Sequence, residues 1–134
     1  MQSVVKISLF ILFVFFFTPS YAQTITNDEC MKFHTGIFVD GSMSHITIVR
    51  DSAFQVETNT RTNKSSTYAI TWINPCTYVL KFVKSEDKAD KKAAKRMGDL
   101  TVRIVSYDDD GYSYIATAPN MEGAIRGSVK WKNK

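Results

Sequence analysis

Thr67-Tyr68-Ala69-Ile70-Thr71-Trp72-Ile73-Asn74-Pro75-Cys76-Thr77-Tyr78-Val79-Leu80-Lys81-Phe82-Val83 is the stretch whose reading decides the fold. Tyr68, Ile70 and Trp72 fall on one side of a period-2 repeat. Tyr78, Leu80 and Phe82 do the same after the break at Asn74-Pro75. Alternation of this kind puts one set of side chains on a buried sheet face; a helix would need apolar residues every three or four positions. β-Branched and aromatic residues dominate both halves, and the intervening proline has no N–H to give a ladder. The stretch therefore predicts two strands around a turn.

The pattern extends outward from this pair. Upstream, residues 33–39 read as a strand ended by Asp40-Gly41, which suits a tight hairpin turn because glycine accepts a positive φ. Residues 45–50 return, and Asp51-Ser52 turns again. Residues 53–58 alternate, with Phe54 and Val56 assigned to the core face and Gln55 and Glu57 to the other. Residues 59–66 are polar and read as a loop. Downstream, residues 100–107 carry Leu100, Val102 and Ile104 in step. Residues 108–111 turn, and residues 112–117 and 124–131 complete the set.

Eight strands at this spacing predict an all-β fold. Short connections favour antiparallel neighbours, and closing the meander removes its exposed edges. The expected architecture is an eight-stranded antiparallel up-and-down barrel. Its inward set would be Phe54, Val56, Tyr68, Ile70, Trp72, Tyr78, Leu80, Phe82, Leu100, Val102, Ile104, Tyr112, Tyr114, Ile125, Val129 and Trp131. One short helix is expected between strands five and six, over residues 85–97. Ala89, Ala93 and Met97 would form its apolar stripe and Ser85 its N-cap. Glu86 and Asp87 sit at the positive end of the dipole, Lys95 and Arg96 at the negative end, and Gly98 serves as the stop.

The chain opens with Lys6, an apolar run over residues 7–17 broken only by Ser8, then Pro19 and Ser20-Tyr21-Ala22. This reads as a cleaved signal peptide of residues 1–22, with residues 23–134 as a single barrel domain. The apolar run falls short of the roughly 20 residues that a spanning helix needs, so no membrane span is expected after cleavage. The protein should be secreted or periplasmic. Its two cysteines, Cys30 and Cys76, are then expected to pair. Closing that loop would contribute about 4 kcal/mol by the chain-entropy model.

Composition narrows the function. The formal net charge is +4 and the mean hydropathy −0.16, and the leader takes only Lys6 of the basic residues. Mild, dispersed basicity does not fit a nucleic-acid binder. The basic residues of 84–96 interleave with acids and lack aromatic neighbours, which reads as a solvated helix face.

Chemistry-bearing motifs are sparse. No G-x-S-x-G elbow occurs, so an enzyme is not expected, nor a cofactor. His34 and His45 would become a diagonal pair across a two-residue turn. Without a third ligand they do not predict a metal. Asp108-Asp109-Asp110-Gly111 resembles part of a calcium loop, but lacks the later glutamate and runs straight into a strand. The aromatic residues say more. Tyr68, Trp72, Tyr78, Phe82, Tyr112 and Tyr114 are the residues expected to line a ligand, with Trp131 a further candidate. Tyrosine hydroxyls in an interior call for a polar or wet cavity.

Two resemblances follow from these residues. Phe33-His34-Thr35-Gly36-Ile37-Phe38 resembles the first-strand G-x-W signature of lipocalins, a calycin-like barrel family, with Phe38 where the tryptophan stands. Cys30, Lys32-Phe33, Gly36, Phe38, Ile48, Arg50, Gln55, Glu57, Trp72, Cys76, Tyr78 and Leu80 resemble a family of short secreted bacterial proteins of unassigned activity. That second likeness covers Cys30 to about Phe82. The lipocalin resemblance implies a barrel that carries a small apolar ligand, and a closure in which Arg50 lies on Trp131. The expected function is thus non-enzymatic binding of a small hydrophobic or amphipathic molecule by a secreted barrel. The alternative is a cell-envelope module that binds a protein or glycan partner. Its mark would be an outer patch of Ile73, Val79, Val105 and Ile115.

Overall fold

The computed structural model describes residues 25–134; the expected leader, residues 1–22, lies outside them. Eight strands follow in chain order: β1 (Gly36–Asp40), β2 (Ile46–Arg50), β3 (Phe54–Asn59), β4 (Lys64–Asn74), β5 (Thr77–Ser85), β6 (Leu100–Tyr107), β7 (Gly111–Thr117) and β8 (Ile125–Trp131). Each pairs antiparallel with the next, and β8 pairs back on β1 through Phe38 with Trp131 and Asp40 with Val129. The sheet is a closed up-and-down barrel. Helix α1 (Asn27–Met31) precedes β1, and α2 (Lys88–Met97) joins β5 to β6.

One end of the barrel is plugged. The Thr26 amide donates to the Glu29 carboxylate at the start of α1, and the Tyr107 hydroxyl donates to the same carboxylate. These bonds hold the Glu29 carboxyl below the usual carboxylate range, the Tyr107 bond contributing most. A disulfide joins Cys30 of α1 to Cys76 of the β4–β5 turn, with 5.2 Å between Cα atoms. Beneath it, Cys30, Phe33, Phe38, Ile48, Ile104, Tyr112 and Val129 form one buried cluster. A second cluster of Ile70, Tyr78, Leu80, Val102 and Ala116 lies against the β4–β7 side.

The first strand begins later than the alternation suggests. Phe33 is fully buried but sits in the turn after α1, and the sheet starts at Gly36. Gly36 has φ +145°, and a Cβ there would lie 2.7 Å from the Trp131 ring. The backbone can pass under Trp131 only without a side chain.

The Asp40-Gly41 hairpin is also longer than expected. Asp40 Oδ1 accepts from the amides of Ser42 and Met43, which opens the connection to residues 41–45. The two histidines are consequently not a cross-strand pair. His34 stacks on Trp72 at 3.6 Å and donates from Nε2 to the Pro75 carbonyl at the plugged end. His45 stands at the opposite rim.

The largest correction concerns β3. Arg50 pairs with Gln55 and Ile48 with Glu57, so Gln55, Glu57 and Asn59 point inward. Phe54 is 45% exposed on the outside and Val56 is beside it. Side-chain period is two, so the inward position of Arg50 fixes the parity of the partner strand. Strand β4 starts at Lys64, three residues inside the expected loop.

Helix α2 begins at Lys88 rather than near Ser85. Asp87 is the true N-cap, accepting from the amides of Ala89 and Asp90, while Ser85 Oγ accepts from the Asp87 amide. Gly98 ends the helix with positive φ, as its position suggests. The buried helix position is Ala94, not Ala89 or Ala93. Among the described residues no helix is long and apolar enough to cross a membrane.

Candidate ligand cavity

Strand alternation places the β1–β2, β3–β4 and β7–β8 connections and α2 at the end away from the plug. A cavity of about 340 Å³ opens there and runs down inside the barrel. This is within the range of small-molecule sites, roughly 300–1,000 Å³.

Its floor is built on Arg50, a side chain only 2% exposed. Nε donates to Gln55 Oε1 at 2.9 Å and Nη1 to the Phe33 carbonyl at 2.7 Å. Nη2 donates to the hydroxyls of Tyr112 at 2.8 Å and Tyr78 at 3.2 Å, which share a hydrogen bond of 2.8 Å with each other. The guanidinium also lies 4.7 Å from the Tyr78 ring centre and 5.1 Å from that of Phe38. A buried cation needs this many partners because desolvation removes its water. Arg50 thus does close the barrel, but not on Trp131. That indole stacks on Phe38 at 4.5 Å and on Phe33 at 5.7 Å, one layer below.

The walls differ in character. On the β3 side stand Gln55, Glu57 and Asn59. Apolar surface comes from Ile46 and Ile48 of β2, Leu80 of β5, Leu100 and Val102 of β6, and Val129 of β8. Strand β7 lies opposite β3 in a ring of eight and brings Tyr114 to the cavity. Gly127 makes room for it: a Cβ there would meet the Tyr114 ring at 2.6 Å. Asp40, Met43, His45, Thr62, Lys64, Asp87 and Asp90 form the rim.

Glu57 is the deepest carboxylate. Its Oε1 accepts from Gln55 Nε2 at 2.9 Å, which links it through Gln55 to Arg50. Burial pushes its carboxyl above the usual range; the Gln55 bond and Arg50 pull the other way, and Asp40 and Asp90 push further up. Tyr68 is pushed up to about 12, by burial first and then by Glu57 and Asp90. Tyr114 is also pushed up to about 12, by burial first and then by Asp40. Both phenols are therefore neutral, with hydroxyls able to donate or accept.

The aromatic residues read from sequence as ligand-lining divide into two groups. Tyr68, Tyr78 and Tyr114 are on the cavity wall. Trp72 and Tyr112 are below the floor. Trp72 is held between His34 and Tyr78, and Tyr112 is occupied with Arg50 and Phe33. Phe82 packs edge-on against Tyr68 at 6.1 Å, off the wall. These three are corrected to packing positions: the ring stack under Arg50 takes two of them, and the third lies behind Tyr68.

Sequence reading missed the polar wall. Alternation and charge pattern alone put Gln55, Glu57 and Asp90 on outer or solvated faces. The signal that finds Gln55 and Glu57 is Arg50: once it is placed inward, antiparallel pairing carries them in as well. Among the described residues no group of three metal-ligating side chains occurs. Comparison with family models, with curated proteins and with solved structures finds no match to this chain.

Proposed function

We propose that the protein is an exported, non-enzymatic, lipocalin-like carrier that holds a small amphipathic molecule inside its barrel. The observation that carries this reading is the 340 Å³ cavity with hydrogen-bonding groups on one wall and aliphatic ones on others. A plain hydrophobe would bring no partner to the Glu57 oxygen that accepts no bond from the described residues, in a partly dry space, which is costly. A wholly polar ligand would gain nothing from Leu80, Leu100 and Val102. Export is part of the same reading. It is supported by the signal-like residues 1–22 and by the Cys30–Cys76 bridge, since such bonds persist in oxidising compartments.

A thermal-shift screen with small amphiphiles tests the proposal, because a ligand that binds only the folded state raises its melting temperature with concentration. Leu100→Trp, which fills the cavity from its wall, serves as the control. Shifts present in the wild type and absent from the filled variant are expected. Equal behaviour of the two proteins across the panel would contradict the reading.

A second reading has its own observation. Ile37 and Val49, paired across β1 and β2, are 47% and 45% exposed, and Ile73 is 63% exposed on the outer surface. Apolar groups on an outer sheet face fit a cell-envelope module with a protein or glycan partner. Charged substitutions at Ile37 and Val49 would abolish capture of that partner while leaving ligand-induced thermal shifts unchanged.

A further inference from the structure

Resting on the carrier reading, we propose that the bound molecule carries a positively charged nitrogen, seated against Glu57 between the rings of Tyr68 and Tyr114. The argument begins with charge. Asp40, Glu57, Asp87 and Asp90 line the cavity, against Lys64 at the rim and Arg50 at the floor. Arg50 has one of its five N–H groups left for an anion. Its Nε, Nη1 and Nη2 already donate to Gln55, Phe33, Tyr78 and Tyr112, and only 2% of its surface is exposed. An incoming carboxylate or phosphate would thus meet four acids and, as its deep cation, a guanidinium with a single unused N–H.

The acids are not equivalent. Asp87 Oδ1 caps α2 and Asp40 Oδ1 holds the β1–β2 turn. Glu57 has one bond only, from Gln55 to Oε1. Among the described residues its second oxygen accepts none, although the residue is partly buried and faces the cavity. Burial destabilises that carboxylate, and a cationic partner relieves the cost. Asp90 on α2 adds negative charge from the rim side. The tyrosine rings offer π faces, which attract ammonium groups most strongly where water is scarce. The apolar remainder of the ligand lies toward Leu80, Leu100 and Val102.

The test is isothermal titration of the disulfide-bonded protein with three molecules of one shape: tryptamine, its alcohol analogue tryptophol, and indole-3-acetate. The amine should bind at least about tenfold more tightly than the alcohol, and the acid most weakly. In Glu57→Gln, a near-isosteric change, the amine should lose that advantage while the alcohol keeps its affinity. Asp90→Asn, on an exposed helix, should reduce the amine preference by a smaller factor and guards against a folding defect in the first variant. Alcohol binding as tight as amine binding, or a preference for the acid, overturns the charge assignment and leaves the carrier reading standing. Failure of all three to bind the wild type overturns both.

Discussion

Arg50 and Tyr112 meet at 2.8 Å at the cavity floor, although 62 positions separate them in the chain. The bond ties β2 to β7 across the barrel, and Tyr78 of β5 joins both partners. Tyr112→Phe removes one acceptor from a buried guanidinium and should cost about 1–3 kcal/mol. Arg50→Lys should cost more, about 3–5 kcal/mol. A single ammonium cannot reach Gln55, Phe33 and both tyrosines from one point, and it leaves those groups unpaired. Urea denaturation of the two variants checks the order. A lysine variant as stable as the wild type would show that the fork geometry of Arg50 is not what holds the floor.

The Cys30–Cys76 bridge fixes α1 over the plugged end, and Cys30 has no exposed surface. Replacing both cysteines with alanine should lower stability by about 2–5 kcal/mol. The loss should be seen in denaturant unfolding and in faster hydrogen exchange of residues 27–40, because α1 and Phe33 are held to the barrel through this link. Ligand affinity should fall less than stability, since the cavity opens at the other end.

Glu57 predicts a pH dependence. The groups that face it are Asp40 from β1, Arg50 from β2 through Gln55, Tyr68 from β4, Asp90 from α2 and Tyr114 from β7. Its native pKa is raised, by burial above all. Below the ordinary carboxylate range, native and unfolded chains both hold the proton and the group costs nothing. Between that range and the raised native value the unfolded chain releases its proton first, so stability falls as pH rises, and the full penalty applies above the native value. Glu57→Gln should therefore melt higher than the wild type at neutral pH, with the difference vanishing near about pH 4. A variant that melts lower at neutral pH would show that the ionised carboxylate is stabilising. Without ligand, the advantage of Glu57→Gln should be largest; a bound amine should erase it.

Much of the barrel could be read from periodicity. The hairpin of Tyr68, Ile70 and Trp72 with Tyr78, Leu80 and Phe82 shows its alternation in the sequence itself, and Leu100, Val102 and Ile104 do likewise. Such local signals fix strand existence. The inward face of β3 was not local information. Phe54 and Val56 look like core residues, and only the pairing of Gln55 with a buried Arg50 turns them outward. The histidines misled for a related reason: the side chain of Asp40 captured two amides and lengthened the hairpin, which separated His34 from His45. The cavity itself follows from both effects. Its polar wall is the misread face of β3, and its rim includes the lengthened β1–β2 connection and the α2 cap, Asp87.

Native mass spectrometry of the protein recovered from its native source tests the carrier account most directly. The folded, disulfide-bonded wild type should carry a small molecule that is released on denaturation, and Leu100→Trp, equally folded by circular dichroism, should carry none. Identical masses for the two folded proteins, apart from the substitution itself, with nothing released from either, would contradict the account.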